Sequence, residues 1–209
     1  MVQTVAIERL TLISLMNQFG LVEADDNSFF SEWQTSLPSL SDYERDRLER
    51  IRATYRNFEA RDALENTVGL TVVSPLIDTA GLFLPPFYVE TEKSVEVTVE
   101  DKDLVIRGRL DVVVIKNTLW VLTIEAKRAG LSLTVGIPQV LAYMLAAPTS
   151  QHSLYGMVTN GRNFIFVKLD RSTKGNPLYA QSKEFVIRQD NDLEQVFKII
   201  KRLASVIAS

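Results

Sequence analysis

Apolar residues recur along this chain in two rhythms, one of period two and one near 3.6, and the changes between them mark out its elements. Val89 and Thr91 alternate with Tyr88, Glu90 and Glu92 and lead on to Val95, Val97 and Val99, which predicts a half-exposed first strand over 87–99. Two denser β-branched runs follow, predicting core strands over 104–115 and 119–127. Helical spacing occurs over 3–19 (Val5, Leu10, Leu12, Leu15, Phe19), where Gly20 closes the run as a C-terminal cap. It returns over 42–64, where Ser41 and Glu44 spell a capping box ahead of Leu48, Ile51, Tyr55 and Phe58. Between these two helices, 25–41 reads as loop with a short helix near 29–35.

The stretch from Glu65 to Phe83 has helical apolar positions weakened by Gly69, Thr71 and Pro75. After the third strand, Ile137-Pro138 opens a helix with proline in its first turn, Val140, Leu141, Met144 and Leu145 fill its buried side, and Pro148 stops it. Residues 153–169 form two apolar runs around Thr159-Asn160-Gly161-Arg162, a hairpin signal. A short strand is predicted at 185–187, and a closing helix over 191–208. Helix, three strands, helix, strands and a final helix predict an α/β sandwich around a mixed sheet.

Composition narrows the chemistry. With 209 residues, 46% of them hydrophobic, the chain suits one globular domain and a small extension. There is no cysteine and a single histidine, His152, so a metal here must be held by oxygen. The opening residues alternate apolar with polar and carry acids, which fits neither a signal peptide nor a membrane span, and a cytoplasmic protein is expected. A net charge of −3 argues against a broad nucleic-acid-coating surface but leaves room for a local basic strip. The arginines of 42–64 alternate with acids and so read as a solvated face of i to i+4 pairs, with a phosphate-contacting helix as the sharper alternative.

Asp111 is set into the second strand, and Glu125 and Lys127 into the end of the third. Each costs several kcal/mol there unless it pairs or holds a metal. A three-residue turn at 117–119 would set Lys116 opposite Trp120 and Asp111 opposite Glu125, and strand parity adds Lys127 to the same face. That arrangement is either a cation site with a lysine beside it or a buried ion network completed by Arg109. A second E-x-K, Glu100-Asp101-Lys102, lies in a turn without a carboxylate partner.

Asp111, Glu125-Ala126-Lys127 and then Gln139 with Tyr143 in PQVLAYM stand in the order of a known signature. In this the chain resembles the PD-(D/E)XK nucleases, and more particularly the N-terminal nuclease domain of the motor subunits of type I restriction enzymes and their stand-alone relatives. The resemblance spans roughly residues 59–190. Glu65, Pro75-Leu76 and Gly81 match the spacing of that domain's first helix, and the Thr-Asn-Gly hairpin is similar too. It implies a restriction-endonuclease-like αβββαβ sandwich over 59–209 with an N-terminal helical extension over 1–58. It implies a Mg²⁺- or Mn²⁺-dependent endonuclease acting on DNA, with Asp111, Glu125, the Ala126 carbonyl and Glu65 on the metal. Glu59 competes with Glu65 as the helix acid. Lys127, Gln139 and Tyr143 would complete the catalytic set.

Arg107, Arg109, Lys127 and Arg128, with Arg162 at the hairpin tip, would form the strip that meets DNA. A homodimer, or a separately encoded restriction or motor partner, is the expected assembly, without a membrane. The alternatives are a non-cutting DNA- or partner-binding module of the same fold, and a metal enzyme acting on small phosphates. No glycine-rich phosphate loop supports the latter.

Overall fold

The computed structural model describes residues 3–59, 61, 64–99, 104–128, 130–171 and 175–208. The chain opens with β1 (Gln3–Ala6), α1 (Leu12–Phe19), β2 (Val22–Glu23), α2 (Asp42–Phe58), α3 (Glu65–Val68) and α4 (Ser74–Thr79). It continues with β3 (Phe87–Val99), β4 (Leu104–Lys116), β5 (Leu119–Ala126) and α5 (Ile137–Leu145). Strands β6 (Ser153–Thr159), β7 (Asn163–Asp170), β8 (Leu178–Gln181) and β9 (Phe185–Val186) precede the last helix, α6 (Asp192–Ala208). The second E-x-K, at 100–102, lies outside the described residues.

All these strands join one mixed sheet in the order β1-β4-β5-β6-β7-β8-β2, with β3 paired to β4 and β9 to β7. Strands β5 and β6 are parallel, so they need a crossover, and α5 supplies it. The sheet separates two cores. On one side, Leu48 and Ile51 of α2, Leu76 of α4 and Phe197 of α6 pack on Ile124, Met157 and Phe166. On the other, Leu15 of α1 and Val140, Leu141 and Met144 of α5 pack on Val113, Val158 and Val167. This is an α/β architecture with helices on both faces of the sheet.

Several sequence expectations change. The helix expected over 3–19 begins only at Leu12, because residues 3–6 instead extend the sheet as a parallel partner of β4. Gly20 caps it in the left-handed region, as its position suggested. Strands β2 and β8, unannounced by any long apolar run, pair with each other in parallel. The segment expected as an extension, 1–58, supplies over its described residues two strands and side chains to both cores.

Helix α2 has the Ser41–Glu44 capping box but ends at Phe58 rather than 64. Its arginines bind mostly across tertiary contacts rather than along the helix: Arg45 pairs with Glu194 of α6 at 3.0 Å and Arg47 with Asp78 of α4 at 3.5 Å, while Arg52 pairs locally with Glu49. The weakened helix after Glu65 runs on to Thr79 through a π-helical turn at Gly69–Val73, in which the Ser74 N–H reaches back to the Gly69 carbonyl. The widened turn lies immediately before Pro75, which has no N–H to donate.

Candidate active site

The β4–β5 hairpin closes differently from expectation yet reaches the same alignment. Its turn takes two residues, with Asn117 at φ 56°, so Lys116 faces Leu119 rather than Trp120. A β-bulge then adds one residue on β5. From Val114↔Leu122 onward the pairing is the one a three-residue turn would have produced, ending at Val112↔Ile124. The bulge sends Val121 and Leu122 to the same core, while Trp120 lies in the other.

Beyond that last pair, β4 leaves β5. On the edge away from β3, β4 pairs with β5 from Val112 upward and with β1 through Arg107, which leaves 108–111 without a strand partner there. Side chains fill the gap, as buried main-chain polar groups require. Asp111 Oδ2 accepts from the Ala126 N–H at 2.7 Å. The Tyr143 hydroxyl of α5 donates to the Arg109 carbonyl at 2.8 Å. Ile7 packs against Gly108 so closely that a Cβ there would lie 2.6 Å from its Cγ2 and 3.1 Å from the Tyr143 hydroxyl. Tyr143 is therefore a strut for the strand that carries Asp111.

Glu125 at the end of β5 and Lys127 just beyond it stand at this fork. They are only 5% and 7% exposed, and Lys127 Nζ donates to Glu125 Oε1 at 2.5 Å. The other oxygen, Glu125 Oε2, is buried without a hydrogen-bond partner, and so is Gln139 Oε1. Burial pushes Glu125 up to about 8, helped by the Asp111 carboxylate and opposed by Lys127. Burial likewise raises Asp111, against the Ala126 hydrogen bond and the Lys127 charge. Glu65 adds repulsion to both carboxylates, so it stands within electrostatic range of the pair. The competing acid, Glu59, is paired with Arg188 at 2.7 Å.

Two cavities are lined by these groups and a third lies beside them. Glu65, Asp111 and Ala126 line one of about 340 Å³. Glu65, Lys127 and Gln139 line a second of about 770 Å³, to which the N-terminal segment adds Glu8 and Arg9. Leu131 joins that to a third, of about 660 Å³, lined by Tyr55, Arg61 and Arg162. Sequence reasoning missed Glu8 and Arg9, since no motif ties residues 8–9 to the strand fork. The Thr-Asn-Gly turn holds the frame: the Thr159 carbonyl accepts from the Lys127 N–H at 2.7 Å, and Asn160 Nδ2 donates to the Leu131 carbonyl at 2.9 Å.

The expected basic strip is divided. Arg107 pairs with Glu96 at 2.7 Å and Arg109 with Glu92 at 3.4 Å across the β3–β4 ribbon. Arg128 is exposed beside the E-x-K, and Arg162 faces the third cavity.

The donor set suits a hard cation: two neighbouring carboxylates of raised pKa, one with an unpartnered buried oxygen. Among the described residues no three His, Cys, Asp or Glu side chains sit together at ligand spacing, so an ion here would rest on one or two carboxylates and water, as Mg²⁺ commonly does. Among the described residues no helix is long and apolar enough to cross a membrane.

No family model and no curated protein matches this chain. Among solved structures, one titled "Crystal structure of SSO0001" aligns over 84% of this chain and 82% of that one, at 16% identity and a TM-score of 0.27, a likeness too slight to carry an argument.

Proposed function

We propose that this protein is a metal-dependent endonuclease that hydrolyses phosphodiester bonds in DNA, on the restriction-endonuclease-like αβββαβ plan of the PD-(D/E)XK nucleases. One observation carries the reading: a buried Glu125–Lys127 pair with an unpartnered carboxylate oxygen, set beside Asp111 where two strands part and cavities open. The succession of α3–α4, three antiparallel strands, α5 and β6 supports it.

In this reading Asp111, Glu125 and the Ala126 carbonyl would hold one Mg²⁺ or Mn²⁺, with Glu65 approaching from its helix. When bound, such an ion would supply Lewis acidity toward the scissile phosphate and toward water. Lys127 brings positive charge to the point where negative charge grows on the phosphate oxygens. Its ammonium retains donors beyond the one given to Glu125, and these can orient water or phosphate. Gln139 Oε1 can accept from that water or from the lysine. Tyr143 works through the strand, keeping Asp111 at the fork. One site cuts one strand, so a double-strand break needs a second copy or a separately encoded restriction or motor partner.

The test is Mg²⁺- or Mn²⁺-dependent nicking of plasmid and single-stranded DNA by the purified protein. Asp111→Asn, Glu125→Gln and Lys127→Ala are each expected to lose at least ~100-fold in rate, the scale on which preorganised charge acts, while still folding. Cleavage retained in all three would put the active site elsewhere. DNA binding without cleavage under either metal would select the non-cutting module.

A further inference from the structure

We infer that the cleft beside Asp111 is a pocket for one unpaired nucleobase, so that the substrate is single-stranded or locally unpaired DNA; this rests on the nuclease reading above. The cleft measures about 340 Å³, at the small end of the usual range for ligand sites, roughly 300–1,000 Å³. Leu70, Val73, Phe83 and Val89 make its apolar walls, while Asn66 and Thr91 offer an amide and a hydroxyl. Leu70 is 73% exposed and Phe83 45% exposed. Leu70 lies in the π-helical turn between α3 and α4.

The acids decide which part of a nucleotide could enter. Glu65, Glu92 and Asp111 line the same cleft, so a phosphate entering it would meet carboxylates, whereas a neutral planar base meets Phe83 and the aliphatic wall. Asp111 also belongs to the candidate cation site, so a base held here would leave its own phosphate beside a cation that offsets the carboxylate charge. The two neighbouring cavities, which share Glu65 and then Leu131 in their linings, balance their acids with Arg9 and Lys127 and with Arg61 and Arg162, and would take the sugar–phosphate backbone. A stacked, paired base cannot reach a side cleft until it is extruded, at a cost of a few kcal/mol that single strands do not bear. Stacking on an aromatic ring tolerates every base, which predicts little sequence preference at this position.

The experiment uses the full chain and one sequence as a single strand and as a duplex, with 2-aminopurine placed in turn at each position around the cut. Binding is read by anisotropy and 2-aminopurine emission, and cleavage in Mg²⁺ is followed in parallel. Expected are single-strand cleavage about tenfold or more faster than duplex cleavage, and emission raised at one position next to the cut, where the base leaves its stacked neighbours. Phe83→Ala should weaken single-strand binding about tenfold, within the cost of one lost base–aromatic contact. Leu70→Ser, at a more exposed site, should weaken it in the same direction. Equal cleavage of both forms, with Phe83→Ala and Leu70→Ser unchanged, would overturn the pocket while leaving the nuclease intact, and would assign the cleft to another occupant. Absence of both cleavage and binding for either form would overturn the nuclease reading, and the pocket with it.

Discussion

Glu125 concentrates the physical tension of the molecule in one side chain. Burial comes first among the causes that raise it from 4.5 to about 8, so the folded chain holds this proton more tightly than the unfolded chain does. The stabilisation this lends is fully present below about pH 4.5 and is lost as pH rises through about 8. Metal-free protein is therefore expected to lose stability across that window, with a slope of up to about 1.4 kcal/mol per pH unit. Glu125→Gln should flatten the slope. Urea unfolding in chelator at a series of pH values measures it, and identical slopes in the two proteins would mean that another group titrates. Tyr143 makes a second prediction at this scale. Tyr143→Phe strips the Arg109 carbonyl of its donor at the strand gap, which should cost about 1–3 kcal/mol of stability. Nicking should slow as well, because Asp111 lies two residues further along the same strand. An unchanged unfolding midpoint would show that water replaces the hydroxyl.

Among the elements, β4 carries the decisive geometry, because it changes partners halfway along. Gly108 marks the change: Ile7 occupies the space a side chain would need, with contacts of 2.6 and 2.7 Å to an added Cβ. Ile7 is fully buried, so the clash cannot be relieved by swinging a loose side chain into solvent. Gly108→Ala is expected to destabilise by about 1–3 kcal/mol through overpacking. Gly108→Ala combined with Ile7→Leu, which conserves volume but lacks the clashing Cγ2, should recover part of the loss. A double variant no more stable than Gly108→Ala would show that the strain lies in the backbone. The bulge on β5 is the other device of this kind. Without the bulge, the register of the two-residue turn would run on to the fork and turn Glu125 and Lys127 to the opposite face from Asp111.

For the molecule as a whole, the N-terminal residues belong to the frame of the candidate site. Strand β1 takes up β4 where β5 leaves it, Ile7 and Leu10 join a core, and Glu8 and Arg9 line the cavity of Lys127 and Gln139. Ile7→Ala is accordingly expected to cost about 2–5 kcal/mol and to shift a single cooperative transition. Separate melting of an N-terminal unit, seen as non-coincident tryptophan fluorescence and circular dichroism, would refute that integration. Trp33 precedes α2 and Trp120 lies on β5, so variants retaining one tryptophan each report from the two parts.

Local pattern determined much of this protein. Alternation located β3, β4 and β5 within a residue or two, the capping box located the start of α2, and the Asn-Gly signal located the β6–β7 turn. Parity within β5 was enough to unite Glu125 with Lys127, because side chains two apart on a strand share a face. The rest depended on competition between distant segments. Residues 3–6 read as helix until the open edge of β4 offered a ladder. The arginines of α2 read as helix pairs until α4 and α6 brought Asp78 and Glu194 within reach. Arg107 and Arg109 read as a free basic strip until β3 set glutamates opposite them. Periodicity is written residue by residue, whereas the choice of strand partner and counter-ion is made only when remote parts of the chain compete for the same edge, and only the tertiary structure contains that outcome.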